Sequence, residues 1–429
     1  MKNDTVILCN PNDAADCARA GRVCLQKNDE VNAKKYLKRS LKLKEDLSVY
    51  EDLIRLYYKS GEYEKAARTL MACEQKYPQG KTVFHKNKLL NTIEILRGKI
   101  KILSKPTSLR IPLTSRCNID CIMCGYNNKV WDMPEPRVRE ISQLLPYLKH
   151  IQWYGGEVFL SKYFKDLFEQ ASRYPYINQR IDTNGLLLNE KWIEMLVSAG
   201  VGLDISIDST KKDTYEYIRA GGKFETLVRN LSLLKACRER IRTERSRNTH
   251  VSMSYIVMKS NYREMETIVD FARKYGFDNI QLNPLLRCNG KEDAYKRETV
   301  EDSRDIVEYL KMTVPEIAKE AGKYGVSVLD RLPYGKEMQG STKLENNLNE
   351  KTLCHMPWKQ LCINPDGTIT PHCYCTMPLG DVWNNSLNQL WNSTMLRNYR
   401  KLLLRGVNPL FCSQVCLTNK MKYLEVDLF

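Results

Sequence analysis

The sequence predicts an α/β fold: a partial barrel of six β/α units, preceded by an all-α unit and followed by a small cysteine-rich domain. Three observations carry this. Residues 11–80 read as helix throughout, with no proline between Pro11 and Pro78. From residue 108 to about 330, six strand-like apolar runs alternate with helical stretches, the pattern of a parallel sheet. Beyond residue 354 cysteines crowd into short elements. The expected domains are 1–105, 106–335 and 336–429, with the polar, asparagine-rich stretch 336–350 as linker.

The elements follow in order. A repeat of about 33 residues aligns Leu25 with Tyr58, Asn28 with Gly61, Ala33 with Ala66 and Leu37 with Leu70. The segment Leu56 to Tyr77-Pro78 resembles a tetratricopeptide helix-turn-helix unit, with small Gly61 and Ala66 expected to let its helices approach. Two repeats are fewer than a stable solenoid needs, so they are expected to lean on a third helix at about 81–103 and on the next domain. The strands are expected at Leu109–Leu113, His150–Trp153, Gln179–Thr183, Gly202–Ile207, Ser252–Val257 and Asn279–Leu282. Helices are expected at Lys191–Ser198 and Glu264–Lys274, the second capped by Gly276. A closed barrel needs eight units, so six leave it open. In the tail, Asn364-Pro-Asp-Gly367 reads as a hairpin turn.

Composition narrows the function. With 42% hydrophobic and 28% charged residues, wholesale disorder and low-complexity structure are excluded. No run of about 18 apolar residues exists, and Val6–Cys9 is too short for a signal-peptide core, so the expected address is the cytoplasm. Net charge is 67 − 51 = +16, but the basic residues are interspersed with acidic ones, which argues against nucleic acid as partner. Fifteen cysteines in a reducing compartment point instead to metal or redox chemistry. Seven fall in two tight groups, at 117–124 and 354–375, and a close pair follows at 412 and 416.

Cys117-x3-Cys121-x2-Cys124 directly follows the first expected strand. Three thiolates on a short loop can ligate three irons of a cubane and leave the fourth open. Here the chain resembles the radical S-adenosylmethionine superfamily, over about residues 108–330. The resemblance implies a [4Fe-4S] cluster held by Cys117, Cys121, Cys124 and S-adenosylmethionine. It implies further that Gly155, Gly156 and Glu157 hold the cofactor's amino group, though Val158 stands where the family has proline. Asn184, Ser206 and Asp208, at the ends of strands three and four, are implied to contact the cofactor, and Arg219 to bind its carboxylate. The implied chemistry is one-electron cleavage of S-adenosylmethionine to a 5′-deoxyadenosyl radical that abstracts hydrogen from a substrate carbon. A flavodoxin or ferredoxin is the implied electron donor.

The tail, from Cys354-His-Met-Pro-Trp358 through Pro371-His-Cys373-Tyr-Cys375 to Cys412-x3-Cys416, resembles the auxiliary-cluster extensions called SPASM and, when shorter, twitch. That implies a second [4Fe-4S] cluster on Cys354, Cys373, Cys412 and Cys416, with Cys375 competing for the place of Cys373. Cys362 is expected in the core beneath the hairpin, and His355 and His372 in packing or hydrogen bonds. Cys288 follows strand six, where a thiol can return hydrogen to a product radical as the superfamily's epimerases do, although an ordinary loop cysteine is the plainer expectation. Peptide or protein maturation is expected first, with the helical repeats holding a protein partner. A dehydrogenase or epimerase acting on a sugar, aminocyclitol or similar metabolite is the alternative, and a non-enzymatic iron–sulfur scaffold is a third reading.

Overall fold

The computed structural model describes residues 9–78, 80, 82–125, 130–245, 249–288, 290–332, 334, 354–373, 375–407 and 412. Four helices open the chain: α1 (Ala14–Gln26), α2 (Glu30–Leu43), α3 (Leu47–Lys59) and α4 (Tyr63–Lys76). Each of the first three begins on an aspartate, Asp13, Asp29 or Asp46, whose side chain accepts a first-turn N–H. Asn28 and Gly61, equivalent in the repeat, both turn with positive φ, +58° and +72°. Asparagine tolerates that left-handed region, so the first copy keeps the turn without glycine.

The expected role of Gly61 needs correcting. A Cβ there would meet nothing within 4 Å, so Gly61 serves the turn and not close approach. The tight helix contact is at Gly21, where a Cβ would lie 2.7 Å from Leu37. These helices share a core of their own around Leu37, Ile54, Ala66 and Leu70. Helix α5 (Val83–Leu96) follows as the third support.

The central region alternates as expected: β1 (Ser108–Pro112), α6 (Glu135–Leu144), β2 (His150–Tyr154), α7 (Phe164–Ser172), β3 (Asn178–Thr183), α8 (Glu190–Ala199) and β4 (Gly202–Ser206). Then come α9 (Lys212–Ile218), α10 (Phe224–Arg245), β5 (Val251–Val257), α11 (Ile268–Tyr275) and β6 (Asn279–Pro284). Gly276 caps α11 at φ +74°. After α12 (Glu292–Glu298) and α13 (Arg304–Gly322) comes β7 (Ser327–Asp330), a seventh strand parallel to β6. The sequence pattern misses it because the strand is mostly exposed and carries only Val328 and Leu329 as apolar residues.

The C-terminal region adds α14 (Met356–Lys359), β8 (Gln360–Ile363), β9 (Thr368–Thr370), β10 (Gly380–Asp381), α15 (Leu387–Trp391) and α16 (Thr394–Leu404). The expected hairpin forms between β8 and β9, with Gly367 at φ +77°. β8 also pairs in parallel with β1, Ser108 opposite Gln360. One sheet therefore runs β10-β9-β8-β1-β2-β3-β4-β5-β6-β7.

The helix-facing side of this sheet is apolar. Leu109, Ile111, Trp153, Ile181, Leu203, Met253 and Ile280 are almost wholly buried there. Each such side chain contributes about 1.5–3 kcal/mol on burial. The same core takes in Trp358, Leu361, Trp391 and Tyr399 of the C-terminal region.

Candidate functional site

The loop 117–124 leaves the C-terminal end of β1 and is pinned from two sides. Ile122 N–H donates to Ile218 O at 3.0 Å and Asp120 N–H to Ala220 O at 2.8 Å, fastening it to the end of α9. On the other side the turn after β2 lies directly against the residues preceding Cys117. A Cβ on Gly155 would stand 2.4 Å from Thr114 O, and one on Gly156 2.3 Å from Arg116 O. Gly156 N–H donates to Thr114 O (2.9 Å) and Glu157 N–H to Arg116 O (2.7 Å). In this structure the two glycines are thus demanded by the backbone that leads into the cysteine loop.

Cys117, Cys121 and Cys124 share an apolar pocket with Ile119, Met123, Ile218, Met258 and Leu285. Burial pushes the Cys121 thiol up to about 11, with Arg219 pulling the other way, and raises Cys117 as well. Metal binding at such thiols releases their protons. Two sulfurs meet N–H donors: Asn184 Nδ2 is 3.8 Å from Cys117 Sγ, and Arg219 Nη1 is 3.6 Å from Cys121 Sγ. Among the described residues no group of three His, Cys, Asp or Glu side chains is gathered tightly enough for one metal ion. A cubane takes one thiolate per iron, so its ligands stand farther apart than those of a single ion. Clustered thiols with N–H donors on their sulfurs fit such a group.

The other implied residues surround this loop. Glu157 is fully buried; its oxygens accept from Thr183 Oγ1 (2.9 and 3.0 Å) and Asn184 N–H (2.9 Å). Burial pushes its carboxyl up to about 7 against these bonds. Glu157 thereby braces the turn that carries Asn184, whose Nδ2 also bonds Asn118 Oδ1 at 2.8 Å. Ser206 ends β4, half-buried. Asp208 has φ +58°, is wholly buried, forms an ion pair with Arg219 and accepts Ile256 N–H at 2.7 Å. Cys288 lies beside the loop, under the influence of Cys124 and with the Gly125 N–H directed to it.

The inner side of the sheet carries a polar belt that the sequence reading overlooked. Arg110 stacks on Tyr154 at 4.1 Å and bonds Gln152 (3.2 Å), which bonds Asp182 at 2.8 Å. Arg180 grips Asp204 at 2.6 and 3.0 Å, Gln281 reaches the same carboxylate at 2.8 Å, and Arg331 reaches Gln281 at 3.1 Å. The signal was available as period-2 polar positions on every central strand.

In the tail, the backbone at Cys375 pairs with that at Cys412 in an antiparallel β-bridge, and both thiols bear on the buried Tyr399 phenol. Cys373 is placed differently: Arg110 donates to it, and it neighbours Cys362, which is wholly buried as expected. Cys354 packs half-buried against the core. Cys416 lies outside the described residues. His355 is buried with Nε2 2.8 Å from the Tyr58 hydroxyl of α3. His372 is held near Cys373.

Comparison with known proteins matches two regions of the chain. Residues 111–272 match the model of the radical SAM superfamily, and residues 354–416 match that of the SPASM iron–sulfur cluster-binding domain. The fold and loop define a β/α partial-barrel protein of the iron–sulfur class. The chain thus carries a radical SAM domain over residues 111–272 and a SPASM domain over 354–416, and the cofactors these domains imply are [4Fe-4S] clusters and S-adenosylmethionine.

Among relatives, a probable GTP 3′,8-cyclase of Archaeoglobus fulgidus is 27% identical over 200 residues, 44% of this chain and 64% of that protein. Mycofactocin maturase MftC of Mycolicibacterium smegmatis is 23% identical over 216 residues, 48% of this chain and 52% of that protein. The matches thus span less than two thirds of either relative. Among solved structures, SuiB of Streptococcus suis bound to precursor peptide SuiA superposes with TM-score 0.56 at 13% identity, covering 86% of each chain. That likeness concerns the fold. Among the described residues no helix is long and apolar enough to cross a membrane.

Proposed function

We propose that this chain abstracts hydrogen from a carbon atom of a peptide or protein substrate. The observation that carries the radical chemistry is the Cys117–Cys124 loop, pinned at the strand ends with N–H donors on two of its sulfurs. Bound together, a three-cysteine cluster and S-adenosylmethionine supply carbon-radical chemistry strong enough to take hydrogen from an unactivated carbon. The protein's part is position. Asn184 and Arg219 steady the sulfurs, Glu157 braces Asn184, and Gly155 and Gly156 let the two strand-end turns close on each other. In the tail, Cys354, Cys375, Cys412 and Cys416 form the ligand set this reading favours, with Cys373 turned toward Arg110.

Two features support a peptide substrate. The resemblance in fold to peptide-bound SuiB runs over 86% of both chains, and a named maturase is among the relatives. The helices α1–α5 would then serve as a tetratricopeptide-like holder for an extended chain. A small hydroxylated metabolite is the second reading, favoured by the polar belt from Arg110 to Arg331. In its epimerase form Cys288 returns the hydrogen atom. The electron donor in either case is a flavodoxin or ferredoxin of the cytoplasm.

The test is anaerobic incubation of the reconstituted chain with reductant and S-adenosylmethionine. 5′-Deoxyadenosine is expected, and its absence returns the chain to the scaffold reading. Short peptides encoded beside its gene are then added, and a product peptide lighter by two hydrogens or newly cross-linked is expected. Turnover of a sugar or aminocyclitol with no peptide product would move the assignment to the second reading. Solvent deuterium in that product, lost in Cys288→Ala, would mark the epimerase form.

A further inference from the structure

We propose that Arg219 is a positioning residue of the cluster loop, one that sets the reduction potential of the cluster through the Cys121 sulfur instead of binding the carboxylate of S-adenosylmethionine. This rests on the reading of Cys117, Cys121 and Cys124 as cluster ligands.

The geometry points this way at both terminal nitrogens of the side chain. Nη1 lies 3.6 Å from Cys121 Sγ. Nη2 is paired with Asp208 Oδ2. Nε is buried with no hydrogen-bond partner among the described residues. A free carboxylate is recognised by an arginine through two parallel N–H donors. Here the two terminal nitrogens are already divided between a sulfur and a carboxylate of the same chain. The residue is 6% exposed, which leaves little approach for a third partner.

The surroundings fix this arrangement. Ile218 O and Ala220 O, on either side of Arg219 in sequence, accept N–H groups from Ile122 and Asp120 of the cysteine loop. Guanidinium and thiol therefore ride on two segments zipped together. On the far side Asp208 is held by Ile256 N–H (2.7 Å) at its second oxygen, while its backbone carbonyl accepts Asn261 Nδ2 (2.8 Å). The Tyr215 hydroxyl, also buried and without a hydrogen-bond partner among the described residues, completes the wall.

The electrostatic consequence has a sign. A reduced cluster carries one more negative charge than an oxidised one. An N–H donor on a cluster sulfur, and a positive charge behind it, favour the reduced form and raise the potential. Asp208 partly cancels that charge. Replacing Arg219 should thus make the potential more negative, whereas neutralising Asp208 should make it more positive.

The experiment is an EPR-monitored redox titration of the anaerobically reconstituted full chain, with S-adenosylmethionine binding measured alongside. The signal of the loop cluster is the one missing from a Cys117→Ala/Cys121→Ala/Cys124→Ala variant, so the cluster reading is tested separately by the parent's iron and signal. Arg219→Gln is expected to shift that signal's midpoint to more negative potential, and Asp208→Asn to shift it the opposite way. Weakened S-adenosylmethionine binding with an unmoved midpoint in Arg219→Gln would overturn the proposal and restore the carboxylate role. Should Arg219→Gln fail to hold its cluster, Asp208→Asn decides alone: a positive shift upholds the assignment, and no shift or a negative one overturns it.

Discussion

The two cysteine groups of this chain are built in opposite ways. The first occupies one loop, 117–124, whose backbone is tied to residues 218 and 220, while the residues just before it are tied to the turn at 155–157. Two of its sulfurs receive donors, one from Asn184 at the end of β3 and one from Arg219 at the end of α9. The second is gathered from separate places: Cys354 before α14, Cys375 after β9 and Cys412 beyond α16. Its geometry depends on packing between distant segments. Trp358 Nε1 donates to Lys99 O (2.7 Å), Trp391 Nε1 to Ser104 O (2.6 Å), and Asn91 to Trp358 O (2.6 Å). The first group is a local device, whereas the second is a product of the assembled fold. Damage far from either should therefore fall on the second.

The largest expected effect comes from the first group itself. If both clusters are cubanes, the native chain should hold about eight irons and the Cys117→Ala/Cys121→Ala/Cys124→Ala variant about four. That variant should form no 5′-deoxyadenosine. Near-zero iron would mean that the second group binds no cluster, and the comparison would lose one of its sides.

Next in size is Arg400→Met, which touches no cysteine. Arg400 is wholly buried, and its guanidinium donates to Ile100 O (2.8 Å), Pro357 O (2.9 Å) and Trp391 O (2.9 Å). At about 1–3 kcal/mol for each stranded carbonyl, the loss should be about 3 kcal/mol or more by urea unfolding. Tail iron should fall while loop iron stays. Equal loss from both clusters would break the distinction between local and assembled sites.

Within the second group, Cys375→Ala should remove the tail iron and Cys373→Ala should spare it, because the backbone at Cys375 pairs with that at Cys412 and Cys373 faces Arg110. The reverse result, read by iron content and EPR, would return the ligand to Cys373. This choice was hidden in the sequence. Two cysteines separated by one residue carry no local mark of which one meets a partner on a remote segment. The same reasoning explains the other gaps. The C-x3-C-x2-C spacing and the strand ends at Glu157, Asn184 and Asp208 are local patterns, and they were legible. The pairing of β8 with β1 joins Ser108 to Gln360 across 252 residues and leaves no local trace. The Arg219–Cys121 contact spans 98 residues and was equally invisible. Gly61 was misread because small size suits both a tight turn and a tight contact, and only its φ and surroundings separate the two.

Glu157 offers a smaller test on the side of the first group. Its folded pKa is raised, so the folded chain keeps a proton that the unfolded chain has lost. Stability from this group is full below the unfolded value of about 4.3 and falls as pH rises toward about 7, by up to about 4 kcal/mol. Above that it is level. Glu157→Gln should flatten this slope in urea unfolding across the same window. An unchanged slope would mean that the carboxylate ionises in place, compensated by Thr183 and Asn184.

The smallest expected effect probes the link between the helical unit and the second group. The Tyr58 hydroxyl of α3 lies 2.8 Å from His355 Nε2, and His355 adjoins Cys354. Tyr58→Phe keeps the ring contact and removes only the hydroxyl, leaving a buried ring nitrogen without that bond. The cost should be about 1–3 kcal/mol. Because the lost bond lies beside Cys354, tail iron should become easier to chelate, while loop iron should be released at the native rate. Faster release from the loop would show that the helical unit supports both sites alike. Unchanged release from both would show that Cys354 is held by the β8–β1 pairing and the Trp358 contacts alone, making the helical unit a neighbour of the second group and not one of its supports.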